Sequence, residues 1–272
     1  MKTTGGTEAQ KRRAGESAAE QVRDGTVVGL GTGSTAAHAI RAIGRQVDAG
    51  LDVRGVPTSF AARELARECG IPLLDLDEAV GPDAPGIDLA IDGADQVAFG
   101  EGAEDGADSD DENAGGEDDA DGADDDANAA DAPALIKGGG AAHAREKSVD
   151  AAADRLLIVA DPSKVTDALD RSVPVEVLPA ARTTVATAVR AAGGEPALRT
   201  AERKDGPVVT DNGNFVLDCE FGTISAPDDL ATTLARTPGV VEHGLFVGLA
   251  DEVHVGTDEG GEVRRYARSR DR

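Results

Sequence analysis

Between residues 26 and 161, short β-prone apolar runs alternate with stretches of helical apolar spacing, and this rhythm constrains the fold more than any other feature of the chain. TVVGLG (26–31) stops at glycines before the Ala-rich STAAHAIRAIGRQVDA (34–49), and VRGVPT (53–58) precedes SFAARELAREC (59–69). IPLLDL and DLAIDGAD (88–95) follow, then LIKGGG (135–140) leads into a helical stretch over 141–153, and RLLIVAD (155–161) closes the series. Parallel strands need a crossover connection, usually a helix, so this alternation predicts an open, doubly wound, Rossmann-like α/β sheet. A further helix is expected over 7–24, where Thr7 and Gln10 stand at capping-box spacing.

From about Val173 the rhythm changes. PVEVLP, ARTTVATAVRAAG, EPALRT, VVTDNGNFVLDCEF, a helix near 227–236 and VVEHGLF read as βαββαβ, the order of a ferredoxin-like α+β unit. ADEVHVGT then returns as one more strand of the first sheet. The expected organisation is a catalytic domain of residues 1–172 plus 248–272 and a smaller ferredoxin-like domain over 173–247, with the basic tail EVRRYARSRDR as a solvated end.

Charge is the other constraint. The 272 residues carry 52 Asp and Glu against 27 Lys and Arg, a formal charge of −25. Residues 101–131 hold 15 of those acids and no base, which leaves 37 acids against 27 bases, or −10, for the rest. With only Ala, Gly, Asp, Glu, Ser and Asn, that segment has nothing large to bury, so 100–133 is expected to be a disordered insertion. An acidic surface repels phosphate backbones and anionic lipid, which argues against nucleic acid and membrane partners. Arg in preference to Lys and 2% aromatics suggest adaptation to high salt. Cys69 and Cys219 are read as two small buried hydrophobes. No apolar run approaches a membrane span, and a soluble cytoplasmic protein is expected.

Several turns could carry chemistry. Gly29-Leu30-Gly31-Thr32-Gly33-Ser34-Thr35 lies between a strand and a helix, where free N–H groups and the helix dipole favour an anion. Taken alone it is compatible with a phosphate site, a nucleotide site or a plain tight turn. Asp92-Gly93-Ala94-Asp95 follows an apolar strand at the end where open α/β sheets place ligands, although a surface turn would look the same. Lys137-Gly138-Gly139-Gly140 reads as a backbone nest for an oxyanion with a lysine counter-charge. Glu146 sits early in the next helix, either over that turn or in solvent, and Lys164 is a further candidate anion contact. His38, His143, His243 and His254 lack metal-ligand spacing and are read as incidental.

The motifs GLGTGSTA (29–36), GVPTSF (55–60), DLAIDGADQV (88–97), LIKGGGAAHAREK (135–147), LLIVADPSK (156–164), PVEVLP (174–179), VTDNGNFVLD (209–218) and PGVVEHGLFVGLADEVHVG (238–256) together resemble ribose-5-phosphate isomerase, type A, in that family's order. The resemblance, in a haloarchaeal-like acidic version, implies interconversion of ribose 5-phosphate and ribulose 5-phosphate without metal or organic cofactor, by a homodimer or homotetramer. It implies that Thr32, Gly33, Ser34, Thr35 and Lys164 hold the phosphate. Asp92, Gly93, Ala94, Asp95, Lys137, Gly138, Gly139 and Gly140 would surround the reacting end of the sugar. Glu146 would be the base, with Asp92 opening the ring and Asp95 orienting hydroxyls and Lys137. Gln96, in place of an acid, and His143-Ala144, in place of Leu-Thr, depart from the family pattern. The acidic segment departs most, standing where the family has a short connector.

Two other readings compete. A non-catalytic sugar-phosphate sensor on the same core would lack Glu146 and carry a basic N-terminal helix-turn-helix, for which 25 residues before the first strand leave no room. A nicotinamide-dependent dehydrogenase would have a ribose-binding acid where Pro57-Thr58-Ser59 stands.

Overall fold

The computed structural model describes residues 5–99, 132–202, 205–258 and 260–265. In chain order the first elements are α1 (Glu8–Ala19), β1 (Thr26–Leu30), α2 (Ala36–Asp48), β2 (Val53–Pro57), α3 (Phe60–Glu68), α4 (Leu76–Ala79), β3 (Leu89–Gly93) and β4 (Gln96–Ala98). Then come β5 (Ala134–Ile136), α5 (His143–Ala152), β6 (Leu156–Ala160), β7 (Val165–Thr166), β8 (Val173–Val177), α6 (Arg182–Ala191) and β9 (Glu195–Leu198). β10 (Phe215–Glu220), α7 (Pro227–Ala235), β11 (Val240–His243), β12 (Leu245–Val247), β13 (Glu252–Thr257) and β14 (Gly260–Arg265) complete the chain.

The main sheet has the order β14-β13-β6-β3-β1-β2, with β13, β6, β3, β1 and β2 all parallel. Its strands are apolar on both faces. Val28, Leu157 and Val159 pack under α1 and α2, while their neighbours Val27, Leu156 and Ile158 join Val149 of α5 and Phe246 on the other side. Such two-sided burial is what covering helices on both faces require. α1 starts at the expected capping box, where Thr7 Oγ1 accepts from Gln10 N and Gln10 Oε1 accepts from Thr7 N. It ends at Ala19, short of the expected Asp24.

The antiparallel sheet has the order β11-β8-β10-β9, flanked in sequence by α6 and α7, which is the ferredoxin-like arrangement read from the sequence. Val173, Val175, Val177, Val185, Val189, Leu217 and Leu234 form its core.

Three expectations need correction. LIKGGG does not enter the main sheet: β5 belongs to a third sheet, β12-β5-β4-β7, antiparallel to β4 and β12. VVEHGLF is not one strand but two, β11 and β12, in different sheets. The break falls at Gly244, whose N–H donates to Pro174 O at 2.7 Å and whose carbonyl accepts from Lys137 N at 2.9 Å. A Cβ there would stand 2.2 Å from Lys137 O, so only glycine lets the two sheets meet at this point. The tail is not wholly solvated, because β14 pairs antiparallel with β13 through Arg265. The acidic stretch 100–131 lies outside the described residues.

Candidate active site

The turns that follow β1, β3, β5 and β6 converge on one cleft. It encloses about 120 Å³ and is lined by Thr32, Gly33, Ser34, Thr35, Gly93, Ala94, Asp95, Lys137, Gly138, Gly139, Gly140, Glu146 and Lys164. Every site residue expected from the sequence is on that wall except Asp92, which lies beneath it and is wholly buried. A larger, shallower depression lined by Asp75, Leu76, Asp77, Val80 and Arg145 offers two acids and one guanidinium, whose Nε already donates to Pro57 O. It lacks the donors an anion needs.

At one end of the cleft the chain leaves β1 and enters α2. Gly33, Ser34 and Thr35 stand immediately before the helix, with no backbone acceptor for their N–H groups among the described residues. Those amides, the helix dipole and Lys164 in the Pro162–Lys164 turn after β6 together present donors and positive charge of the kind an anion requires. The Thr32 side chain is held away from free rotation by Thr58 Oγ1 at 2.9 Å and Ser59 Oγ at 2.7 Å.

At the other end, charge is concentrated and dry. Asp92 Oδ1 accepts from Thr32 N (2.9 Å) and Gly93 N (2.7 Å), and Asp92 Oδ2 stands 3.0 Å from Lys137 Nζ. This approach of β3 to the first turn requires Gly31, where a Cβ would meet Asp92 Oδ1 at 2.3 Å. Lys137 also donates to Gly93 O and lies 3.9 Å from Glu146 Oε1. Burial opposes its charge, but Asp92, Glu146 and Asp150 outweigh that and keep the ammonium firmly protonated. Glu146, in the first turn of α5, is pushed up from 4.5 to about 8 by burial, with Lys137 opposing and Asp92 and Asp95 reinforcing the rise. Asp95 faces the cleft and accepts from Gly139 N at 2.7 Å.

The glycine turn is braced from the antiparallel sheet. Arg199, just past β9, donates to Gly138 O at 2.8 Å and Gly139 O at 3.3 Å, and pairs through two nitrogens with Asp218 of β10, Nε to Oδ2 at 2.9 Å. In a trans peptide the N–H points opposite to the C=O, so holding the Gly139 carbonyl aims the Gly140 N–H away from Arg199, on the cleft side. His143, read as incidental, packs beneath this turn. Burial, with the charges of Lys147 and Arg199, lowers its pKa to about 3, so it is a neutral packing group. Sequence reasoning missed Arg199, which stands 61 residues from Gly138 and has no local signal. It also missed Asp150, whose i+4 spacing from Glu146 on a helix was available to be read.

The family model for ribose 5-phosphate isomerase A (phosphoriboisomerase A) matches residues 54–102 and 118–260, so its gap falls inside the acidic segment. A ribose-5-phosphate isomerase A from Halorubrum lacusprofundi is 69% identical over 97% of this chain and 100% of its own length. One from Haloarcula marismortui is 60% identical over 97% of this chain and 99% of its own. The structure of ribose 5-phosphate isomerase A from Methanocaldococcus jannaschii superposes with a TM-score of 0.79 at 37% identity, covering 96% of this chain and 100% of that one. A D-ribose-5-phosphate isomerase in complex with phospho-erythronic acid also gives 0.79, at 35% identity, covering 96% and 99%.

Proposed function

The chain belongs to the ribose 5-phosphate isomerase A family and interconverts ribose 5-phosphate and ribulose 5-phosphate, and from that premise we propose that Glu146 carries the proton between carbon 2 and carbon 1. The observation that carries this reading is the position of Glu146: a buried carboxyl on the cleft wall, 3.9 Å from a buried ammonium and facing the triple-glycine turn.

The substrate is an anion at one end and an aldehyde, once its ring opens, at the other. Gly33, Ser34, Thr35 and Lys164 hold the phosphate, because free amides and a half-buried cation recognise it there. The aldehyde end then lies toward Lys137 and Glu146. Glu146 takes the proton from carbon 2, and the electron pair left behind forms the carbon 1–carbon 2 double bond while the carbonyl π electrons move to O1. Lys137 and the Gly140 amide stabilise that oxyanion, and they need no reorganisation to do so. Glu146 returns its proton to carbon 1 while the O2 proton passes to O1, so that a carbonyl forms at carbon 2 and a hydroxyl at carbon 1, which completes the ketose. Among the described residues the one acid on the cleft wall besides Glu146 is Asp95, so we assign ring opening and hydroxyl orientation to it. Asp92, expected from the sequence to open the ring, acts from beneath by holding Lys137. A structural relative is in complex with phospho-erythronic acid, which has both a phosphate and a carboxylic acid and so supports a site that takes a phosphate and an oxyanion together.

The test is ketose formation from ribose 5-phosphate in molar salt with chelator present. Glu146→Gln should lower kcat by about 10²–10⁴-fold with little change in KM. A wild-type rate in that variant removes Glu146 from the mechanism. Lys137→Ala should depress kcat more than it raises KM, and Lys164→Ala the reverse, while the opposite split would exchange the phosphate and enediolate ends.

The remaining organisation is read in the same way. Residues 1–172 plus 248–272 form the catalytic domain and 173–247 a smaller one that supplies Arg199. Exposed apolar side chains at Phe60, Leu178, Val209 and Val241 support assembly as a homodimer or homotetramer. No described helix is long and apolar enough to cross a membrane, and a phosphorylated sugar does not cross one unaided, which supports a cytoplasmic enzyme.

A further inference from the structure

Beneath the cleft, α5 carries a second acid that the proposed mechanism does not use. Asp150 follows Glu146 by four residues, just over one helical turn, and is wholly buried. Neither of its carboxylate oxygens meets a hydrogen-bond donor among the described residues. Its side chain instead lies against the carboxyl of Asp92, whose Oδ2 has no aligned donor either, although Lys137 Nζ is 3.0 Å away.

Two buried carboxylates in contact are two sets of acceptors facing one another, and they repel if both are ionised. A single proton between them resolves both defects, filling the empty position on Asp92 and giving Asp150 a partner. Asp92 already accepts from two amides and faces an ammonium, whereas Asp150 has no donor of its own, so the proton belongs on Asp150. We propose that Asp150 is a buried carboxylic acid that donates a hydrogen bond to Asp92 Oδ2, a positioning residue that locks Asp92 against Lys137 and keeps the cluster from carrying one negative charge too many.

The charged groups facing Asp150 are Asp92 from β3, Lys137 following β5, and Glu146 on α5 itself. Burial and Asp92 raise its pKa while Lys137 opposes, in the direction the geometry requires. The consequence reaches the base: with Asp150 neutral, Glu146 loses its proton against a smaller negative field and is available nearer neutral pH.

Two measurements test this. Asparagine keeps the neutral state and can donate an N–H to Asp92, so Asp150→Asn should leave the ionisation of Glu146, read from the pH limb of kcat/KM, where it stands in the wild type. Its kcat should also exceed that of Asp150→Ala, which leaves Asp92 Oδ2 without that donor, by about tenfold. A limb displaced to lower pH by about half a unit or more in Asp150→Asn means that the native residue is charged, and equal kcat in the Asn and Ala variants means that the hydrogen bond is idle. Either result overturns the proposal.

The kinetic readout rests on Glu146 being the base, so the second measurement does not. In the Glu146→Gln background near neutral pH, infrared spectra in D2O should contain the C=O stretch of a protonated carboxylic acid that disappears when Asp150→Asn is added. Its absence before that change overturns the proposal whatever Glu146 does. Should Asp150→Ala fail to fold, the Asn variant and the infrared band decide.

Discussion

A single carboxyl group with two opposed demands dominates the chemistry at the residue scale. As the proposed base, Glu146 must be ionised to take a proton from carbon, yet burial drives it toward the neutral acid and raises it to about 8, with Lys137 partly offsetting this. A base poised near the working pH is both present in ionised form and strong enough to act. The rate constant kcat/KM should therefore rise with pH through about 8 and level above it. Lys137→Met, which removes the opposing cation, should displace that limb to higher pH, and a limb at the ordinary carboxylate pH would assign the base elsewhere. The same shift has a cost in stability. The folded value lies above the unfolded 4.5, so the contribution of Glu146 is fully present below 4.5 and is lost as pH rises through about 8. Glu146→Gln should thus gain in Tm over the wild type across that window, as differential scanning calorimetry between acid and alkaline buffers would record. A Tm difference independent of pH would mean that Glu146 ionises freely in the folded protein. Gln96 illustrates the opposite economy: its amide both donates to Asp170 Oδ1 at 2.6 Å and accepts from the Asp170 and Arg171 N–H groups at 3.0 Å, which no carboxylate could do.

Among the elements, the site depends on pairs that sequence separation hides. β4 and β5 are antiparallel partners with Gln96 opposite Ile136 and Ala98 opposite Ala134. The strand leaving Asp95 and the strand arriving at Lys137 therefore form one hairpin whose site-bearing ends coincide, and the acidic segment joins its other ends. Arg199 is the second hidden partner. It transmits the position of β9 and β10 to the glycine turn through a planar fork, satisfying Asp218 with one edge and two carbonyls with another. Arg199→Gln should lower kcat by about tenfold with a smaller change in KM, and Arg199→Lys should not restore it, because an ammonium cannot span both partners. Full recovery with lysine would show that only the charge matters, and the loop clamp would be wrong.

The whole molecule is an acidic protein acting on an anion. With 15 of its acids between residues 101 and 131, at low salt the segment should oppose substrate binding, and at molar salt, where the Debye length is about 3 Å, that opposition should vanish. Excising 101–131 joins Phe99-Gly100 to Ala132-Pro133 as a short connection of ordinary hairpin length. The truncated enzyme should keep its kcat in high salt and show a weaker salt dependence of KM in steady-state assays from low to molar salt. A large loss of kcat would make the segment part of the site. Much of this was legible beforehand, since burial on both faces writes continuous apolar strands, turns write glycines, and caps write Thr7 and Gln10. The fold class, the glycine-rich turn after β1, Lys137 with its glycines and the place of Glu146 early in a helix follow from such local patterns, because each expresses the chemistry of a few adjacent residues. What only the tertiary structure decided is pairing at a distance: that β5 joins a third sheet, that Gly244 splits one apolar run between two sheets, that Asp92 lies under the cleft, and that Asp150 and Arg199 reach its two sides. Those outcomes depend on which surfaces meet when the sheets pack and on which polar groups are thereby cut off from water, and no short window of the chain carries that information.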